Sequence, residues 1–274
     1  MGLLWWRKKL RTIWRVEKEN KNFFLVGTAH FSPCSFKASL TKLIQPAQVI
    51  LFEGPLDSEN MAKVIEYGRK GEGTPSLYEA LDPKAIEEIE REIQSSLNRA
   101  SISGEVNVSL FHQPPSNFLR TLLEGVRPWF GFFSIWSLLL HWRYSMDMEA
   151  YQIAQKFEKR IEYCETIEEQ LQALDGIPFE RIVSFLNHIR KWKEYQTLFF
   201  RTFLSGDLQS FATLTGEFPT RCESIVNRRD PVFFKKIKAF LGKETGVAFI
   251  GVIHLPGIIK MFREEGFEMV QEER

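Results

Sequence analysis

Cysteine is scarce in this chain: Cys34, Cys164 and Cys222 lie far apart, with neither a CxxC pair nor the even-numbered framework that staples a small secreted domain. Reduced thiols in a cytoplasmic protein are the expectation. Charge of one sign is missing too, because 36 Lys and Arg face 35 Asp and Glu for a formal charge of +1. The overall field offers nothing to a nucleic acid, and none is expected as a partner. A membrane-spanning run is also lacking: the apolar, aromatic stretch Pro128 to Trp142 (PWFGFFSIWSLLLHW) falls short of the ~20 residues that cross a bilayer, and reads as a buried or groove-lining helix. There is no HExxH, P-loop, dinucleotide fingerprint or nucleophile elbow. Neither a low-complexity linker nor a repeat of solenoid period occurs.

The first residues, Met1 to Arg15 (MGLLWWRKKLRTIWR), carry no long apolar h-region and no small-residue cleavage site. Two readings remain. An amphipathic anchor would put Trp5, Trp6 and Trp14 at the lipid boundary and Arg7, Lys8, Lys9 and Arg11 towards headgroups, giving a peripheral membrane contact. The more ordinary reading is an opening strand or helix packed on the domain.

What is present begins with short apolar runs bounded by turn residues: Phe23 to Gly27 (FFLVG), Val49 to Phe52 (VILF) and Val247 to Gly251 (VAFIG). Such runs suit strands buried on both faces. Ser35 to Gln45 places Phe36, Leu40, Leu43 and Ile44 at helical spacing, and Pro46 closes it. Strand, helix, strand implies a parallel crossover. A second crossover ends the chain, with a helix over Ile258 to Glu265, Gly266 as its stop and Phe267 to Val270 as a last strand. The middle reads mostly as helices, including Asp82 to Leu97, Met146 to Arg160 and Ile167 to Ala173, with turns at Asp175-Gly176 and Ser205-Gly206-Asp207. The expected fold is therefore α/β: a single domain over 1–274, whose central, mostly parallel sheet comes from 1–57 and 244–274, with 58–243 as a mainly helical cap or insertion.

Chemistry collects where the strands stop. His30 follows FFLVGTA, Glu53 follows VILF and His254 follows VAFIGVI. Open parallel sheets hold ligands beyond the carboxyl ends of their strands, so neighbouring strands would let the three side chains converge. Two imidazoles and a carboxylate suit a divalent transition metal with positions left for water and substrate. Each histidine lies three residues after a glycine, in Gly27-Thr28-Ala29-His30 and Gly251-Val252-Ile253-His254. Glycine would allow a tight turn there, and a helix start just downstream would keep the ring neutral. One such tetrapeptide is weak evidence, since a histidine after a strand is commonly a satisfied structural residue and a glutamate commonly a cap or an ion-pair partner. Two copies with a strand-end glutamate carry more.

Other residues carry less. His112 precedes Pro114-Pro115 in an expected loop and His188 sits in an apolar helix, neither with a partner at ligand spacing, and His141, in the aromatic stretch, reads as a core or groove residue rather than a ligand. Phe130, Phe132, Phe133 and Trp136 could line an apolar substrate groove, though helix packing is the more ordinary explanation. Glu87 to Glu92 and Lys235 to Lys238 read as solvated helix faces.

Taken in order, the segments resemble the TraB/GumN superfamily, which includes PrgY and the Tiki proteins. FFLVGTAHFSPCS resembles its first GxxH element, QVILFEGPLD its glutamate strand, and RPWFGFFSIWSLL, MDMEAYQIAQ and IEYCETIEEQLQAL its central stretch. FLSGDLQSF resembles its Gly-Asp helix, NRRDPVFFKKI its arginine segment and VAFIGVIHLPGIIKMFREEGFEMV its second GxxH element. The resemblance runs from Trp14 onward. It implies a Tiki/EreA/ChaN-like arrangement in which His30, Glu53 and His254 take the metal positions, Glu53 and Glu165 are the carboxylates available for proton transfer, and Arg229 binds or stabilises an anion. A buried salt bridge is the alternative for Arg229 and Glu165. Where the family usually has asparagine after the arginine, this chain has Asp230 and then Pro231, so Arg228 is a second choice for the arginine's role.

The resemblance further implies a metal-dependent hydrolase acting on a peptide or other small-molecule substrate, with a divalent ion (Mn, Co, Zn or Fe) and peptide-bond cleavage as the leading reaction, because the Tiki branch is associated with metallopeptidase activity. The alternatives are a non-catalytic regulatory protein binding a peptide, metal or haem in the same crevice, and an esterase. A homodimer is among the assemblies left open.

Overall fold

A computed structural model describes residues 9–18, 21–102, 117–140, 142–189 and 191–274. Six strands, β1 (Ile13–Lys18), β2 (Lys21–Thr28), β3 (Val49–Phe52), β4 (Arg160–Tyr163), β5 (Gly246–Gly251) and β6 (Glu268–Glu272), form one sheet of order β4-β3-β5-β2-β1-β6. β5 pairs in parallel with β2 and β3, and β3 with β4. β1 is antiparallel to both β2 and β6, so β1 alone runs against the rest. Both expected crossovers are present, the first through α1 (Lys37–Ile44) and the last through α13 (Leu255–Glu264).

The apolar runs are strands because both faces of the sheet are covered. Val26, Ile50, Phe52, Val247 and Phe249 pack under α1, α7 (Met146–Lys156) and α10 (Lys191–Ser205). Leu25, Val49, Leu51, Ala248 and Ile250 point the other way, against α12 (Asp230–Lys238) and α13. This two-sided burial is what a continuous, non-alternating hydrophobic strand requires.

The long middle holds a separate apolar core around α6 (Pro128–Leu140), with Trp129, Phe132, Ile135 and Trp136 packed on Ile182 and Leu186 of α9 (Phe179–Asn187). It is not purely helical. The helix expected over Met146 to Arg160 ends at Lys156, because Glu158 takes a left-handed conformation with φ 50°, and the chain then enters β4 on the edge of the sheet. The alternation of polar and apolar residues in Arg160-Ile161-Glu162-Tyr163 fits a half-exposed edge. Among the described residues no helix is long and apolar enough to cross a membrane. Residues 1–8, His112 and His141 lie outside the described residues. Lys9 and Arg11 are within them, and both pair with Glu273 beside the last strand.

Candidate active site

The parallel ladder puts the strand-end side chains together. Gly251 is the register partner of Thr28, and Val252 N–H donates to Thr28 O at 2.9 Å. On the other side, Cys164 N–H donates to Phe52 O and Glu165 N–H to Glu53 O, both at 2.9 Å. The β3–β4 ladder thus extends past its last regular pair and sets Glu165 beside Glu53. Asp57 then caps α2 (Ser58–Gly68), and Thr166 opens α8 (Ile167–Asp175) with a capping box. Each carboxylate is therefore followed closely by a well-anchored helix start.

Gly251 is the floor of the site. A β-carbon there would lie 3.0 Å from Glu53 Oε1, 3.6 Å from His254 Cδ2 and 3.7 Å from His30 Nε2. All three expected ligands therefore converge on one backbone position. Its N–H donates to Glu53 Oε1 at 2.6 Å. The glycines were expected to turn the chain, yet neither Gly27 nor Gly251 has a positive φ. Close approach is the reason instead, since a β-carbon at Gly27 would strike Leu255 Cδ1 at 2.7 Å.

Each histidine is oriented by an aspartate. His30 Nδ1 lies 2.8 Å from Asp147 Oδ2, and His254 Nδ1 lies 2.7 Å from Asp230 Oδ1. A carboxylate only accepts, so both rings donate through Nδ1 and turn Nε2 towards the site. Asp147 is delivered by a short pairing in which Ser32 and Tyr144 exchange backbone bonds of 2.8 and 3.2 Å. Asp230 enters as the first residue of α12, after a single π-helical turn at Glu223–Asn227.

Arg229 binds both glutamates. Its Nη2 donates to Glu53 Oε2 at 2.6 Å and also to Glu165 Oε1, its Nε donates to Glu165 Oε2 at 3.0 Å, and its Nη1 stands 3.5 Å from His254 Nε2. The guanidinium also lies over Phe233, 4.8 Å from the ring centre. Arg228 points away, with its side chain 74% exposed. Of the two arginines it is Arg229 that lines the crevice, and it makes the buried ion pair offered as the alternative.

The electrostatics follow from these contacts. Burial would raise the Glu53 pKa, but Arg229, His254 and His30 with the Gly251 N–H bring it down to about 2. Glu165 is raised, because burial outweighs its bonds to Arg229. Asp230 is likewise pushed up by burial against the pull of His254. Arg229 is held firmly as a cation by the two glutamates, although burial opposes its charge. What solvent the His30 ring loses would lower its pKa; the charge and hydrogen bond of Asp147, with the charge of Glu53, instead raise it to about 9. This corrects the expectation that a nearby helix start keeps the ring neutral, since α1 begins only at Lys37 while Asp147 is in direct contact. His254 does sit at a helix start, as the residue preceding α13.

His30 and His254, each oriented through Nδ1 by a carboxylate, have the donor chemistry of a transition-metal site. Glu53 fits less well, its two oxygens being taken by Gly251 and Arg229. Among the described residues no three His, Cys, Asp or Glu side chains form a ready metal-binding set. His188 is away from the site and bonded to Ser184 O at 2.7 Å.

Sequence reasoning missed the role of both aspartates. Asp147 stands inside the MDMEAYQIAQ segment, where an acid in the first turn of a helix is already accounted for by the helix dipole. Asp230 was visible only as a departure from asparagine. Beside the site opens a crevice of about 140 Å³, walled by residues such as Phe133 and Trp136 as well as His30, Arg229 and His254. Phe132 instead faces the helical core, and Phe130 packs against Trp129. The TraB/PrgY/gumN family model matches residues 12–271 of the chain. No curated protein matches it.

Proposed function

We propose that this chain, which belongs to the TraB/PrgY/gumN family, is a metal-dependent hydrolase with peptide-bond cleavage as its leading reaction. The observation that supports this best is the doubled Asp–His arrangement: histidines from neighbouring strands each donate Nδ1–H to a buried aspartate and approach the same floor, His30 through Nε2 and His254 through Cδ2. The choice of a peptide bond rests on the likeness to the Tiki branch.

His30 and His254 would hold a divalent ion (Mn, Co, Zn or Fe), which supplies a Lewis acid and acidifies a bound water. Asp147 and Asp230 fix the direction and tautomer of the rings, so that each presents a lone pair at Nε2 when neutral. Glu53 stays ionised next to His254, 3.8 Å from its Nε2, where its charge would offset that of the ion while its two oxygens are held by Gly251 and Arg229. Glu165, raised by burial, has the more basic carboxylate and keeps Arg229 in place. Arg229 remains a cation at the crevice wall, where it can steady negative charge developing on a substrate oxygen.

A second reading, a non-catalytic binding protein using the same crevice, is favoured by one feature. Glu53, Arg229 and Glu165 already satisfy one another, as a static structural bridge would.

Metal content by plasma mass spectrometry decides first, on protein purified without chelator and on its H30A/H254A variant. Near-stoichiometric metal that disappears in the folded variant supports the hydrolase; trace metal in both after reconstitution removes it. Turnover on parallel peptide and ester panels then separates peptidase, esterase and binding protein.

A further inference from the structure

The crevice has a size and lining of its own. Its volume is about 140 Å³, close to the ~150 Å³ apolar cavity that takes up one benzene molecule. Phe133, Trp136, Leu140, Trp142, Phe199 and Phe218 supply much of its wall, while His30, Arg229 and His254 are the titratable side chains in the lining. Among the described residues no carboxylate lines it to receive a cationic group, and the charge of Arg229 is already offset by Glu53 and Glu165. Lining and volume together select an uncharged, ring-sized group over a charged or small one.

The crevice also opens directly onto the candidate site. Thr28, the register partner of Gly251, lines the crevice together with Gly251, His30 and His254. A ring held there therefore lies next to the floor of the site, where His30 and His254 converge.

The geometry points to a specificity pocket that takes the phenyl ring of a peptide-like substrate, with the adjoining carbonyl presented at His30 and His254. The word substrate rests on the hydrolase reading; binding of the ring does not.

The full-length protein is titrated with N-acetyl-4-fluorophenylalanine N-methylamide, followed by fluorine NMR, with the capped phenylalanine, alanine and lysine amides as competitors. The phenylalanine amide is expected to compete roughly 10-fold or more better than the alanine and lysine amides, as loss of a large apolar group from a fitted pocket implies. Leu174→Trp, which fills the lining, abolishes binding while circular dichroism is unchanged. Should that variant not fold, Phe133→Ala widens the pocket and shifts preference to a capped naphthylalanine. Equal competition by the three amides, or phenylalanine binding unchanged in folded L174W or F133A, overturns the assignment. Turnover measured in parallel keeps the two readings apart: peptide hydrolysis without ring preference removes the pocket alone, whereas ring preference in a protein with neither metal nor turnover supports the pocket and removes the hydrolase.

Discussion

Glu165 stands beside Glu53 because its backbone N–H donates to Glu53 O at 2.9 Å, one step beyond the regular β3–β4 pairing. Two buried carboxylates are thereby placed next to each other, a repulsive arrangement that Arg229 resolves by donating to both. Arg229→Met should therefore cost about 3–5 kcal/mol in urea unfolding, the range for stranding a buried partner. Arg229→Lys keeps the charge without the fork and should cost less. Equal, sub-kilocalorie losses for both would show that the bridge is not structural.

His30 in the metal-free protein should titrate near pH 9 by NMR. Its folded pKa lies above the ordinary 6.5, so its contribution to stability is complete below about 6.5 and is lost as pH rises through about 9. The ring is 62% exposed, so solvent screens this contribution. Asp147→Asn preserves an acceptor for Nδ1–H but removes the charge. It should bring the midpoint back towards 6.5, and a midpoint left near 9 would mean that Asp147 is not the cause.

Acid should act through Glu53 with the opposite sign. Its pKa falls from 4.5 to about 2 on folding, so the stability it contributes is present above about 4.5 and disappears as pH drops towards 2. Glu165 and Asp230, both raised by burial, bend the curve the other way. The informative quantity is thus the difference between wild type and Glu53→Gln, which should shrink steadily from about pH 5 to about pH 2.5. A difference that stays flat over that range excludes a depressed Glu53.

Gly257 is the most sensitive glycine near the site. A β-carbon there would fall 1.9 Å from Asp230 Oδ2, within the first turn of α13. Alanine normally favours a helix by about 1 kcal/mol over glycine, yet Gly257→Ala should push Asp230 off His254 Nδ1. Metal affinity is expected to fall roughly 10- to 100-fold, the usual result of losing such an outer partner. Metal binding unchanged in G257A would show that Asp230 does not orient the ring in a way that matters.

The strand-end residues were legible because they follow uninterrupted apolar runs, and VILF before Glu53 or VAFI before Gly251 is too short for a buried helix and too apolar for an exposed strand. β4 was not, since Arg160 to Tyr163 alternates on an exposed edge and follows a strong helical pattern that stops only at Glu158. The aspartates were invisible for a different reason. Their effect on His30 and His254 depends on contacts across 117 and 24 residues of chain, and neither residue type nor spacing encodes such a pairing. The glycines mark the site in the sequence but for another cause than a turn, because a missing β-carbon leaves the same trace whether it permits a turn or a close approach.

β5 lies between β2 and β3, although it is the fifth of the six strands to be synthesised. A chain still lacking Gly246 onward has His30 on one pair of strands and Glu53 on another, with no strand between them to join the two ladders and no His254. His30, Glu53 and His254 can therefore meet at Gly251 only once the residues through His254 are in place, so this arrangement is completed late and in one step rather than strand by strand.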